Sequence, residues 1–565
     1  MSDPSSSFEA FRERRAAAAR LPAWDLTPHQ LCDLELLLAG GFAPLSGFLG
    51  EEDYRAVLAG SRLLDGRLWP VPICLDLPAA LADRLAPGDR LALRHPEGVP
   101  LAVLTIGSLF RPDKKAEAAA VLGTTDRVHP WVAHLEDEVE EAYAGGSLEP
   151  LEPPPHAVFR AFRHTPSRLR AIFAAAGWRR VVAFQTRNPL HRAHVELVSR
   201  AAELADAAIL LHPVVGRTRP GDVDDFTRVA CYRAVLPRFA PRPAMLSLLP
   251  LAMRMAGPRE ALWHALIRKN YGATHFVVGR DHASPGSDSA GKPFYGPYEA
   301  QELVAKHAAE IGMVALPFEE LVYRPDIAAY VGRSEVPAGA PVASLSGSEQ
   351  RRRLRAGEPL PEFFTYPEVE AELRRRVRPR RDLGFAVFFT GLSGAGKSTI
   401  AGVLLAMLEE AGPRGVTLLD GDVVRRHLSS ELGFTRQHRD LNVTRIGFVA
   451  AEIVKHGGAA ICAPIAPYAA ARRQVRSMIE AQGGFVEVYV ETPLETCEQR
   501  DRKGLYAKAR AGLVKGFTGI DDPYETPENA EIVVDTRSES AEGAAERIVA
   551  FLAAQGYLAP QVKER

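Results

Sequence analysis

The chain has 565 residues, 46% of them hydrophobic, with 69 basic against 70 acidic side chains. That length provides for several domains, each burying its own core, and the near-neutral balance excludes a general nucleic-acid or membrane-surface binder, which carries a basic excess. Five scattered cysteines (Cys32, Cys74, Cys231, Cys462, Cys497) with no CxxC pair exclude a disulfide framework and a cysteine-based structural zinc site.

The first segment, "MSDPSSSFEAFRERRAAAAR", has no apolar core of signal-peptide length. No apolar run reaches the roughly 20 residues of a membrane helix, so a cytoplasmic, reducing setting without membrane contact is expected. Residues 1–167 hold short β-like runs broken by Gly, Pro and Asp, such as "LWPVPICLDL", and predict a compact strand-rich domain. Over 168–325 strands and helices alternate: "RVVAF", "HRAHVELVSRAAELA", "AAILLHPVV" and "THFVVG" predict a parallel sheet with crossover helices. Residues 326–378 form a smaller polar α/β segment whose basic, Pro-containing end reads as a linker. Residues 379–565 open on "FAVFFTGLSGAGKST" and form a second α/β unit.

Within the first α/β region, "QTRNPLHRAH" (185–194) follows a strand directly and enters a helix. So many directional donors at a strand end mark a place for chemistry. His191 and His194, at i and i+3 in the first helical turn, face the same way. A satisfied helix face is one reading of such a pair, and a three-histidine metal site with His282 is another.

In the second unit, "GLSGAGKS" matches G-x-x-x-x-G-K-[ST] between an apolar strand and a helix. Its backbone N–H groups, from Gly391, Leu392, Ser393, Gly394, Ala395 and Gly396 into Lys397, Ser398 and Thr399, suit an ATP phosphate cradle at a helix N-terminus. Lys397 would reach the β/γ-phosphates, and Ser398 would ligate Mg²⁺ carried in with ATP. Asp420 and Asp422, in "LLDGDVV", end an apolar strand where a carboxylate can accept the proton of an attacking hydroxyl.

The stretches "GLSGAGKST", "DGDVVRRHLSSELGF", "HRDLNVTRIG" and "KGFTGIDDPYE" resemble adenylylsulfate kinase, which phosphorylates the 3′-hydroxyl of adenosine 5′-phosphosulfate (APS) to give PAPS. The resemblance implies Asp422 as the base, APS held by Asp420, Arg425, Phe434, Arg439, Asn442 and Ile465, and Lys503 closing over it with "FTGIDDPYE". Phe434 suits a stacked adenine and the arginines a phosphosulfate. Two positions depart from the family pattern. Ala466 stands where a serine is frequent, and His438 where an acidic residue usually begins the arginine-bearing loop.

Residues 1 to about 378 resemble ATP sulfurylase, which makes APS and pyrophosphate from ATP and sulfate, through "DLELLLAGGFAPLSGFLG", "QTRNPLHRAH", "PVVGRTRPGDV", "GRDHASPG" and "LSGSEQRRRLRAGEPLPEFF". The implied site comprises Gln185, Thr186, Arg187, Asn188, His191 and His194, with Gly279, Arg280, Asp281, His282, Ala283 and Leu321. Arg187 presents a planar fork to a tetrahedral dianion, with Gln185 a neutral amide beside it. The histidines and Asn188 would donate to ATP phosphates. Arg280 and His282 would also contact phosphates, Ala283 the sulfate through its backbone, and Leu321 the nucleotide by apolar contact alone.

The expected fold class is therefore multidomain α/β: a strand-rich, barrel-like (PUA-like) N-terminal domain, a Rossmann-like nucleotidyltransferase domain, a small linker domain and a C-terminal P-loop kinase domain. The resemblance implies a bifunctional, PAPS synthase-like enzyme whose partners are ATP, sulfate, APS, PAPS and pyrophosphate, forming a homo-oligomer and holding no metal or organic cofactor tightly. A C-terminal domain that only binds PAPS as a regulator, or a first domain run backwards to make ATP, are the rival functions. A generic nucleotidyltransferase joined to a nucleoside kinase fits Arg187 and "FTGIDDPYE" less well.

Overall fold

The computed structural model describes residues 12–156, 158–216, 223–376, 379–501 and 504–558. They divide into two compact units, Met1–Ser346 with Leu360–Arg376, and Gly347–Pro359 with Val377–Arg565.

The first unit begins with a six-stranded sheet built from β1 (Ala23–Asp25), β2 (Gly47–Phe48), β3 (Leu75–Leu77), β4 (Arg90–Arg94), β5 (Pro100–Phe110) and β6 (Ala142–Pro150). The strand path is β1-β4-β5-β6-β2, with β3 also on β6, and every pairing except β1–β4 is antiparallel. The expected strand-rich character is there. The path is open rather than closed: among the described residues no pairing joins β1 to β2 or β3.

A second sheet follows, of β7 (Val181–Phe184), β8 (Ala208–Leu211), β9 (Ala244–Leu246), β10 (His275–Val278) and β11 (Val314–Pro317), all parallel in the order β11-β10-β7-β8-β9. The central strands β7 and β8 are buried throughout, which is why "VVAF" and "AILL" run apolar without alternation. From β7 the chain winds outward through β8 and β9, then returns to β10 on the other side. That reversal opens a crevice beyond the carboxyl ends of β7 and β10, where such sheets bind ligands. A hairpin of β12 (Leu321–Arg324) and β13 (Ala329–Gly332) follows. It straddles the 325/326 division drawn from the sequence. The helix Pro367–Arg376 buries Val369 and Leu373 within this first unit, so apolar spacing inside a highly charged stretch gives it a packed role rather than a linker's.

The second unit is a parallel five-stranded sheet of β14 (Phe385–Thr390), β15 (Val416–Asp420), β16 (Ala459–Ala463), β17 (Gly484–Val490) and β18 (Ile532–Val534), ordered β15-β16-β14-β17-β18. Successive residues of β14 point to opposite faces. Phe385, Val387 and Phe389 join a core with the helices Lys397–Glu410 and Ala541–Ala554, while Ala386 and Phe388 join another with Arg436–Lys455 and Ala469–Glu480. No helix among the described residues is long and apolar enough to cross a membrane.

Candidate active sites

In the first unit, Gln185 to Asn188 leave β7 as a tight polar turn. The Thr186 hydroxyl accepts from the Asn188 N–H at 3.1 Å. The turn is pinned from below by two fully buried side chains of the helix Asp225–Val235. The Tyr232 hydroxyl donates to the Thr186 carbonyl (3.0 Å), and Arg228 Nη1 donates to that of Arg187 (3.1 Å). Gln185 is buried, and its side-chain oxygen accepts from Arg268 Nη2, which also donates to the His212 carbonyl at 3.2 Å. A guanidinium can only donate, so this bond fixes the amide's orientation, with the NH₂ end of Gln185 towards Met253 Sδ at 4.0 Å.

His191 is the N-cap of the helix Arg192–Ala205, and His194 lies in its first turn. The His191 N–H donates to His194 Nδ1 at 3.1 Å, so the neutral His194 ring carries its proton on Nε2. His191 Nδ1 lies 3.0 Å from the Thr365 hydroxyl, and its ring packs 4.2 Å from that of Phe364. Burial pushes His191 down to about 3 and His194 down to about 4. Both rings are therefore neutral donors at neutral pH.

Across the crevice, Gly279 to Ala283 leave β10. Asp281 (φ 54°) and Ala283 (φ 55°) both lie in the left-handed region, a conformation non-glycine residues hold only where the surroundings impose it. Arg280 is steered by Asp281 (3.3 Å) and Glu320 (3.2 Å). His282 Nε2 lies 3.0 Å from Nδ1 of the buried His264, whose Nε2 lies 3.3 Å from the buried Glu260 carboxylate. Leu321 opens β12, partly buried.

In the second unit the phosphate loop runs from β14 into the helix Lys397–Glu410, with Gly391, Gly394 and Gly396 at φ 147°, 76° and 111°. A Cβ at Gly391 would come within 2.6 Å of the Val490 carbonyl, so that position has room for glycine alone. Lys397 Nζ donates to the Gly391 and Leu392 carbonyls at 2.9 and 2.7 Å. The Ser398 hydroxyl donates to Asp420 Oδ2 at 2.7 Å, and the other Asp420 oxygen caps the next helix by accepting from the Asp422 N–H at 3.0 Å.

Arg425 lies 4.6 Å from the Phe434 ring, which is 61% exposed and so presents a flat surface for a base. The buried Asn442 leaves its Oδ1 without a hydrogen-bond partner. Arg439 donates from Nε to the Phe434 carbonyl (2.9 Å) and from its other nitrogens to Gly516, Thr518 and Asp522. It ties the "FTGIDD" segment down. A cleft of about 690 Å³ lies between that segment, the end of β17 and Leu392.

Three family profiles match: PUA-like domain over residues 5–153, ATP-sulfurylase over 160–376 and adenylylsulphate kinase over 383–535. A sulfate adenylyltransferase of Phaeosphaeria nodorum is 51% identical over 97% of this chain and 96% of its own length. Another, of Emericella nidulans, is 52% identical over 96% of this chain and 95% of its own. A solved structure, a hexameric APS kinase from Thiobacillus denitrificans, superposes with a TM-score of 0.79 at 39% identity, covering 98% of this chain and 97% of that one.

The chain belongs to the sulfate adenylyltransferase family. It carries a PUA-like domain, an ATP sulfurylase domain and an APS kinase domain, the two activities of sequential sulfate activation.

In the sulfurylase domain, Gln185 to His194 follow β7 and Gly279 to Ala283 follow its parallel neighbour β10, so both stretches leave the same end of the sheet. The three histidines do not gather as metal ligands. Among the described residues the one group whose donor atoms come within 4.8 Å of one another lies elsewhere. Glu260, His264, Arg268 and Thr365 were not singled out from the sequence. Arg268 and His264 sit in an ordinary-looking helix, and Thr365 lies some 170 residues from its partner His191.

In the kinase domain, the backbone of Ile465 accepts from Thr390 and Gly391 at the base of the phosphate loop. Ala466 holds φ 46° in the same turn. His438 acts as an acceptor through Nδ1, bonded by the Gly433 N–H at 2.9 Å. Lys503 lies outside the described residues, as does most of the "GRTRPGD" stretch.

Proposed function

We propose that the crevice between β7 and β10 adenylylates sulfate, and that the phosphate-loop cleft then phosphorylates the product. The observation that carries this reading is Arg268 under Gln185: a buried cation, oriented by an amide, behind a turn that presents Arg187. Sulfate is a poor nucleophile, so the site must supply alignment and electrostatics rather than a base. In this reading Arg187, the Gln185 amide and the Ala283 backbone hold the dianion. Asn188, His191 and His194 donate to the ATP phosphates as neutral groups, stabilising charge as pyrophosphate departs. Arg280 and His282 contact the phosphates from the opposite wall, and Leu321 borders the nucleotide.

In the kinase, Lys397 turns from the loop carbonyls to the phosphates, Phe434 and Arg425 hold the adenine end of APS, and Asn442 accepts from it. Asp422 receives the 3′-hydroxyl proton. The hard oxygen donors Ser398 and Asp420 fit Mg²⁺ entering with ATP, which would neutralise phosphate charge. Forming a phosphate–sulfate anhydride is uphill, and removing APS by the second reaction draws the first forward. The hexameric Thiobacillus relative supports a homo-oligomer. Incubating the purified protein with ATP, Mg²⁺, labelled sulfate and pyrophosphatase tests the reading: PAPS should accumulate. APS as the sole product would leave only the sulfurylase half.

A further inference from the structure

Away from both crevices, the N-terminal domain brings two histidines and a carboxylate together. His29 lies in the first turn of the helix Pro28–Ala39, His134 in the last turn of the helix Pro130–Asp137, and Glu138 directly after it. One donor atom from each falls within 4.8 Å of the others. His134 and Glu138 stand at i and i+4, which puts both on one helical face. His134 Nδ1 lies 3.3 Å from Glu138 Oε2. Two ligands of a tetrahedral Zn²⁺, each about 2.0–2.1 Å from the metal, are roughly 3.3 Å apart. His29 and His134 present their rings at a centroid distance of 4.1 Å.

The surroundings are those of a built site. The Thr27–Gln30 capping box fixes the turn that carries His29. The Trp131 ring packs against His29 at 5.3 Å and against His134 at 4.5 Å, holding both imidazoles in place. The group borders a cavity of about 160 Å³ whose lining includes Asp33, Asp76 and Glu117, with Arg254. Arg254 is already matched by Asp33 at 2.5 Å, which leaves the Asp76 carboxylate of the lining to favour a cation.

We propose that His29, His134 and Glu138 form a binding site for a divalent first-row transition ion of the Zn²⁺ class, with solvent from the cavity as the fourth ligand. Two nitrogens and one carboxylate oxygen suit such an ion and disfavour Mg²⁺ or Ca²⁺, which take oxygen. The ion would clip the two helices together across the PUA-like domain, with no part in either reaction.

The test uses the full-length protein, stripped with chelator and titrated with CoCl₂. Wild type should bind one Co²⁺ per chain with the visible absorption of a four-coordinate site, displaced by Zn²⁺. His29→Gln and His134→Gln should each weaken that binding by about 10–100-fold or more, while sulfurylase and kinase rates stay unchanged. Should either histidine variant fail to fold, Glu138→Ala, at a half-exposed position, serves instead: Zn²⁺ should raise the melting temperature of wild type and leave that of Glu138→Ala much less changed. Absence of saturable Co²⁺ absorption in wild type, or the same titration in wild type and variants, would overturn the proposal.

Discussion

Arg268 bonds the side-chain oxygen of Gln185 from beneath, and among the described residues no carboxylate pairs with it. Its Nε and Nη1 are buried without hydrogen-bond partners. Burial pushes the guanidinium down to about 9, so it stays charged at neutral pH. An unmatched buried cation costs stability, and a dianion arriving at Gln185 recovers part of that cost. Arg268→Met, which keeps the length of the side chain and removes the charge, should lower kcat/KM for sulfate by roughly 10- to 100-fold, the range for a hydrogen bond to a charged group. Kinase turnover on supplied APS should not change. Sulfate-dependent pyrophosphate release and APS phosphorylation, measured separately, check this.

Arg187→Ala should abolish sulfate-dependent pyrophosphate release and leave kinase activity intact. Arg187 and the phosphate loop lie in separate units with separate cores. A variant that still made APS at near-normal rates would remove Arg187 from the sulfate site.

Buried histidines set the response of the first unit to acid. His191 and His194 protonate in the unfolded chain near the ordinary 6.5, but in the folded one only near about 3 and 4. Between about 4 and 6.5 the unfolded state binds more protons, so stability rises with pH through that window and is complete above it. His129, held down to about 4, acts in the same direction. Glu117, pushed up to about 7 by burial, opposes them between 4.5 and about 7, as do the raised carboxyls of Asp33, Asp225 and Glu260. The buried His212, His264 and His282, held well down, add to the histidines' side. The melting temperature of the first unit should therefore fall from neutral pH to about pH 5, and fall less in His194→Gln.

Asp420 and Asp422 stand two residues apart and do different things. Asp420 holds Ser398 and caps the following helix, whereas the part proposed for Asp422 is to receive a proton. Asp422→Asn should lower kinase kcat by about 10²–10⁴-fold, the usual contribution of a positioned base, with the Mg²⁺ requirement unchanged. Asp420→Asn should instead raise the Mg²⁺ concentration needed for half-maximal rate. A magnesium titration of each variant separates the two roles.

Lys397→Ala should cost kinase turnover heavily and leave the fold intact, since its ammonium bonds carbonyls of the phosphate loop and the apolar cores of the unit form without it. Given ATP and sulfate, this variant should stop at APS where wild type continues to PAPS. If wild type itself stopped at APS, and added PAPS altered the first reaction, the C-terminal domain would be a regulator.

Much of this was legible in the sequence because polar residues directly after an apolar strand are rare, and "QTRNPLHRAH", "GRDHASPG" and "GLSGAGKS" each follow one. The parallel strands β7, β8, β10 and β14 declared themselves as continuous apolar runs. The edges β9 ("AML") and β11 ("VALP") did not, being too short to show a period. Nor did the shell behind the histidines. Glu260, His264 and Arg268 repeat at i and i+4 within "GPREALWHALIRKN", a spacing that reads as a polar helix face, yet all three are fully buried. Burial of a charged helix depends on what surrounds it in space, and that information is spread over the rest of the chain.

The largest hydrophobic cluster of the first unit runs through both its sheet-bearing domains, beside smaller clusters of its own. Leu34, Phe42, Trp69 and Leu91 from the PUA-like domain lie in the same cluster as Val181, Leu210, Trp263 and Phe276 from the ATP sulfurylase domain, with Phe42 and Trp263 ring to ring at 5.2 Å. The kinase clusters draw only on residues from Phe385 onward. A cut between the first two domains would therefore divide a shared core, whereas the kinase clusters hold together by themselves. A fragment beginning at residue 168 would expose half a core and aggregate, while a kinase fragment keeps its own cores whole. In a lineage that discards the second activity, the open reading frame should shorten downstream of the shared core and not within it.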